Sequence, residues 1–143
     1  MINQGDNTSV TGGWKASDAI DTSGGDPVKP SISLSGGLTM KQQPIGGNSI
    51  GTVHTVKKIN LTKYKKLYLK MSSSSGLSYC TVYLTSTTTS LSPCYASLAM
   101  GGNVKTHSID VSGINTSCYL IFWLRAGVGN PDNVKKFTQI WLE

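Results

Sequence analysis

The chain reads as an all-β protein, a two-sheet antiparallel β-sandwich of jelly-roll type with about eight strands. Three observations predict this. Helix-favouring residues are scarce, and the single Glu is Glu143. Short runs rich in Val, Ile, Leu, Tyr and Trp, which suit a pleated surface, alternate with clusters of Gly, Ser, Asn and Pro. Within the clearest runs the apolar residues recur every second position, the period of a half-buried strand. At 143 residues the chain fits one domain and needs no disulfide or metal to close its core.

Residues 1–27 read as an N-terminal arm or wrapped lead-in, rich in Gly, Asp, Ser and Thr. Its Trp14 is expected to pack over one end of the core or on an outer strand face. Residues 28–143 form the sandwich domain. Strands are expected around Ser31–Met40, then Ile50–Leu61, where the mixed alternation suggests a bulge. They continue at Tyr64–Ser72, Tyr79–Ser86, Tyr95–Met100, Lys105–Val111, Ser117–Ala126 and Val134–Leu142. The turns between them carry Gly46-Gly47-Asn48, Ser90–Pro93, Gly101-Gly102-Asn103 and Gly129-Asn130-Pro131.

The middle strands carry the functional argument. In Tyr64–Ser72, Leu67, Leu69 and Met71 share one face, and Lys66, Tyr68 and Lys70 share the other. In Tyr79–Thr85, Cys80, Val82 and Leu84 oppose Tyr79, Thr81, Tyr83 and Thr85. A short Ser-Gly link joins the two strands, so they are expected as antiparallel neighbours. Paired in that way they place Tyr68, Tyr79 and Tyr83 outward on one sheet, flanked by Lys66 and Lys70. Rings beside lysines suit a sugar, a base or a protein partner, although cross-strand packing alone would also account for them. Tyr119–Leu124 has no polar position, so both of its faces should be covered. Phe137 and Trp141 are in phase, opposite Ile140 and Leu142, which leaves one pair less buried and points to a homo-oligomer or larger assembly.

The formal charge is +6, unevenly spread. No acidic residue lies between Asp26 and Asp110, a stretch with nine lysines, six of them within Lys57–Lys70. Such a field attracts polyanions, or simply keeps a sheet soluble. Only Arg125 offers a bidentate fork, and no RNA-binding sheet signature is legible, so single-stranded nucleic acid ranks below an anionic surface polymer as partner.

Catalytic patterns are missing. His54 and His107 have no neighbouring ligand at zinc spacing. Nothing pairs Asp110 with Asp26 or Asp132 as glycosidase chemistry requires, and no nucleophile elbow or phosphate loop appears. The sequence therefore predicts no enzyme and no obligate cofactor. A structural calcium ion could use Asp18, Asp21, Asp26 or Asp132, which otherwise serve as loop-capping aspartates. Cys80, Cys94 and Cys118 match no redox or metal pattern. Cys80 and Cys118 read as small core residues, while a Cys80–Cys94 bridge stays open. No signal peptide is visible and no segment suits membrane insertion, which leaves open that the chain is a fragment of a longer protein.

The runs Ile59-Asn-Leu-Thr-Lys-Tyr-Lys-Lys-Leu-Tyr-Leu, Ser108-Ile-Asp-Val-Ser-Gly-Ile, Cys118-Tyr-Leu-Ile-Phe-Trp-Leu and Gln139-Ile-Trp-Leu carry a resemblance over roughly residues 55–143. Together they are similar to β-sandwich modules of phage and prophage tail proteins. Those modules in turn look like galactose-binding-like and carbohydrate-binding jelly rolls. The resemblance implies a non-enzymatic, often oligomeric component, in the virion or otherwise extracellular, that attaches to cell-surface polysaccharide. It also implies binding through loop residues at the sandwich ends, which adds Trp14, Tyr95 and Asn130 to the candidates.

Overall fold

A computed structural model describes residues 13–18 and 24–143, without the side chain of Asp18. It contains twelve strands among the described residues, numbered in chain order, in two antiparallel sheets packed face to face. The first sheet has the order β1 (Trp14–Asp18), β5 (Ser49–Thr55), β11 (Ser117–Ala126), β8 (Cys80–Thr85) and β9 (Ala96–Ala99). Two short strands join it: β2 (Asp26–Pro27) pairs in parallel with β5, and β6 (Ile59–Asn60) pairs with β11. The second sheet has the order β10 (Thr106–Asp110), β7 (Lys66–Ser75), β12 (Asn133–Leu142), β4 (Leu38–Gln42) and β3 (Ser31–Ser33). The strands outnumber the expected eight because short pieces flank the long ones. The predicted run Ile50–Leu61 is one such case, divided into β5 and β6.

Strand registers put the β4–β5, β7–β8, β9–β10 and β11–β12 links at one end of the sandwich, the upper end. The β5–β6, β6–β7, β8–β9 and β10–β11 links lie at the lower end. All but β5–β6 and β8–β9 cross from one sheet to the other.

These crossings overturn one expectation. β7 and β8 are not neighbours but lie in opposite sheets, with β7 between β10 and β12 and β8 between β11 and β9. Their short link climbs over the upper end instead of folding a hairpin. Gly76, at φ +80°, makes the turn so close to the Asp132 carbonyl that a Cβ would overlap it. The alternation itself stands: Leu67, Leu69, Met71, Cys80, Val82 and Leu84 all point into the shared core. Both strands obey the same inward rule, but from opposite sides.

A second expectation fails at β12. Its pairing with β7 shifts register between Phe137 and Gln139, leaving Thr138 as an extra residue. A bulge of this kind reverses the phase of everything after it. Phe137 and Ile140 are therefore both buried in the core, Leu142 packs against it, and Trp141 faces outward.

The core closes with Phe122 between Phe137 (5.0 Å between centroids) and Trp14 (5.7 Å). Trp14 thus fills the inside of the sandwich from β1, which pairs with β5, and is not a cover for the outer face of β11. That outer face is occupied by its own neighbours: Ile121, with no exposed surface, sits in register with His54 and Tyr83. Among the described residues no helix is long and apolar enough to cross a membrane.

Candidate functional site

The division of β7 from β8 splits the expected aromatic row between two faces. On the outer face of the second sheet, Tyr68 stands between Lys66 and Lys70 as the alternation requires, and its cross-strand partner is Trp141. The two rings stack at 5.0 Å between centroids and 14° between planes. Near-parallel rings at that separation overlap face to face in an offset stack, so each has one face occupied by the other. The indole N–H donates to Glu143 Oε1 at 3.1 Å. This pair stabilises the sheet, with one face of each ring already taken.

On the outer face of the first sheet, the odd-numbered positions of β11 present Tyr119, Ile121, Trp123 and Arg125, and β8 adds Thr81 and Tyr83. Tyr79, just before β8, is 43 % exposed. Its ring meets Trp123 edge-on at 6.5 Å, and the Arg125 guanidinium lies over it at 4.9 Å. At the lower end Lys58 Nζ lies 5.7 Å from the centre of Tyr119. Four aromatic side chains and an arginine therefore share one face. Trp123 Nε1 and Arg125 Nε, two positions apart on β11, are buried N–H donors with no acceptor. Buried donors are normally paired, at a cost when they are not. The sequence signal for this group was the two-residue step from Tyr119 to Arg125, read only as a run needing cover on both sides.

The remaining candidates are dispersed. Trp14 is 5 % exposed and belongs to the core, so it is removed from any surface site. Tyr95 is half exposed at the lower end, its backbone N–H bonded to the Leu84 carbonyl. Asn130 shapes its own loop at the upper end by donating to the Val128 carbonyl. Of the carboxylates, Asp132 pairs with Lys41 at 3.1 Å, Asp21 and the Asp18 side chain lie outside the described residues, and no group of three potential metal ligands exists among the described residues. His54 and His107 are engaged locally. His54 Nδ1 donates to the Thr55 carbonyl and its Nε2 accepts from Ser17 Oγ, while His107 Nε2 donates to the Asn103 carbonyl. Cys80, Cys94 and Cys118 are all free, with Cys94 exposed.

Sequence reasoning missed a polar group inside the sandwich. Lys135 is fully buried, on the inward face of β12. Its ammonium donates to the carbonyls of Ser75 (3.3 Å) and Leu77 (2.9 Å) and to Asn133 Oδ1. Asn133 Nδ2 in turn donates to the carbonyls of Tyr79 and Arg125, both at 2.8 Å. The cluster ties the β7–β8 link and the end of β11 to β12, directly beneath Tyr79 and Arg125. Burial lowers the Lys135 pKa, opposed by nearby Cys80, and the same burial pushes the Cys80 thiol up to about 12.

No protein-family model matches the chain, and a search of curated proteins returns no match.

Proposed function

We propose that this protein is a non-catalytic carbohydrate-binding module of jelly-roll type that holds its ligand on the outer face of the first sheet. The observation that carries the reading is the group Tyr79, Tyr83, Tyr119, Trp123 and Arg125 on that face, with two N–H donors lacking acceptors. Sugars offer apolar C–H faces to aromatic rings and hydroxyls to such donors. Tyr79 is exposed and lies over the guanidinium, and in this reading its ring swings aside to give a ligand oxygen access to the two buried donors. The jelly-roll reading is supported by strand order: the four strands β10-β7-β12-β4 face β5-β11-β8-β9, with most successive strands crossing between sheets as paired Greek keys do. Together with the resemblance over residues 55–143, this supports a place outside the cell, on a phage tail that attaches to host polysaccharide.

A glycan array read at high salt, to suppress charge-driven adhesion, tests the proposal. Wild type is expected to select a defined glycan subset, and Tyr79→Ala and Arg125→Gln to weaken it about tenfold or more, the equivalent of about 1.4 kcal/mol. Tyr68→Ala, on the other face, should leave it unchanged. Folded wild type that selects no glycan, or a Tyr79→Ala variant that binds as well as wild type, overturns the reading.

A second reading, a structural module of a homo-oligomer or virion, is favoured by the upper rim. There Ile45 and Val128 are 55 % and 57 % exposed on adjoining loops, joined by the Val128 N–H to Asn48 Oδ1 bond. A mass measurement by light scattering across a dilution series separates the two, with Ile45→Ser/Val128→Ser expected to dissociate any oligomer built on that rim. Single-stranded nucleic acid has less support, since Tyr68 and Trp141 already take one stacking face of each other.

A further inference from the structure

The six lysines of Lys57–Lys70 form one continuous belt around the lower end. Lys58 lies on the first sheet's outer face, over Tyr119. Lys57, Lys63 and Lys65 are exposed on the links that carry the chain across the lower end. Lys66 and Lys70 stand on the second sheet's outer face, about 13 Å apart for four residues of strand. The backbone beneath them is held firmly. The Lys65 and Lys66 N–H groups bond the Glu143 carbonyl at 2.6 and 2.8 Å, the Lys65 carbonyl accepts from Val111 at 2.8 Å, and Leu61 donates to Thr116. Tyr64, between Lys63 and Lys65, packs against the core. The backbone that carries the charges is thus set in place before any partner arrives.

No belt lysine forms an ion pair among the described residues, where the one such pair is Lys41–Asp132. The nearest carboxylates have other partners. Asp110, beside Lys66, accepts from the Ser112 amide (2.9 Å) and hydroxyl (2.6 Å), and Glu143 accepts from Trp141.

We infer that this belt is a second binding surface, meeting the aromatic face only where Lys58 lies over Tyr119, and that its partner is a linear, base-free phosphodiester polymer. Length argues for a polymer, because the belt runs from one sheet's face across the end to the other and a compact anion meets only two of its charges. Composition argues for phosphate, because the belt holds lysines without arginine. An ammonium serves a phosphate as a point charge, whereas planar bidentate recognition, which a carboxylate invites, uses the guanidinium fork that the belt lacks. The rings argue against nucleic acid. Tyr64 is packed against the core, Lys58 lies over Tyr119 and Tyr68 is stacked on Trp141, so each tyrosine along the path already has one contact that stacked bases would compete with.

The test uses the whole chain and end-immobilised poly(glycerol phosphate), with oligo(dT) carrying the same number of phosphates as comparison. Four lysine–phosphate contacts should weaken binding about fifty-fold between about 50 and 200 mM salt, taking the single-strand slope of about −0.7 per contact. The variant K57Q/K63Q/K65Q/K70Q, which spares Lys58, is expected to lose that slope and bind at least fifty-fold more weakly at the lower salt. K29Q/K105Q/K136Q, which removes three lysines outside the belt, should keep both. Since these four lysines make no ion pair among the described residues, the unfolding midpoint should move little. The inference is overturned by folded wild type that ignores the polymer, by a belt variant that binds like wild type, or by tighter binding to oligo(dT). Tyr79→Ala should leave polymer binding intact, so failure of the carbohydrate reading and failure of this one are read separately.

Discussion

The buried ammonium of Lys135 invites the most direct test of how the upper end is held. An ammonium has three donors, and here all three reach acceptors: the carbonyls of Ser75 and Leu77 and the side chain of Asn133. Replacing Lys135 with Met keeps most of the volume and removes every donor. Asn133 Oδ1 and the Leu77 carbonyl are left without this partner, at about 1–3 kcal/mol each. Against that stands relief from burying an unpaired charge, a few kcal/mol in the opposite sense. The expected net is a loss of about 1–3 kcal/mol for Lys135→Met. Lys135→Ala should lose about 2–4 kcal/mol more, from the cavity. Urea unfolding followed by Trp fluorescence measures both. A Lys135→Met variant more stable than wild type would refute the clamp and make the charge a net burden.

The pH dependence gives the same test a second readout. Burial lowers the Lys135 pKa from 10.5, so the folded state holds its proton less well than the unfolded chain. Its contribution to stability therefore rises with pH between the lowered value and 10.5. Cys80 acts in the other direction. Its thiol stays protonated in the fold up to about 12 against 9.0 ordinarily, so stability falls as pH rises from 9 towards 12, by at most about 4 kcal/mol. Wild type carries both effects, partly offset. Lys135→Met loses the rising one and also the nearby charge that favours the thiolate, so its stability should fall more steeply above pH 9 than that of wild type. Parallel profiles would show that the two groups are not coupled.

Three further outcomes follow from the packing. Gly51→Ala should destabilise by about 3 kcal/mol or more in chemical denaturation, because its Cβ would overlap the Val28 carbonyl, the Gln42 amide and the Pro30 ring; a loss below about 1 kcal/mol would mean those groups give way. A thiol reagent should label Cys94 rapidly in the native protein, while Cys80 and Cys118 react only after unfolding, as mass spectrometry with and without denaturant would reveal. A double-mutant cycle on Tyr68 and Trp141 should give a coupling of about 0.5–1.5 kcal/mol, the value of a stacked pair beyond its area, and no coupling would argue against the stack in solution.

The residues that divided sequence from structure were few and specific. Alternation placed Leu67, Leu69, Val82 and Leu84 inward and Lys66, Tyr68, Lys70 and Tyr83 outward, and the structure agrees at each position. It did not say to which sheet each strand belongs, because an inward face looks the same from either side of a sandwich. Thr138 carries no mark of the bulge that turns Trp141 outward, since one unpaired residue is a matter of register with β7 and not of local preference. Lys135 looks like any surface lysine until Ser75, Leu77 and Asn133 arrive from distant strands to receive its protons. The aromatic face, too, exists only because β11 lies beside β8.

By itself, then, the sequence determined the all-β class, the positions of the strands from Tyr64 onward, the inward sets of β7 and β8 and the charge of Lys57–Lys70. All of these rest on period-two patterning and composition within a few residues. Tertiary structure alone decided the partners: β7 with β12 and β10, β8 with β11 and β9, and hence which rings share a face and which donors meet acceptors. Side-chain direction is a local property of the strand. Strand pairing joins segments far apart in the chain, through backbone bonds that any residue but proline can make in full.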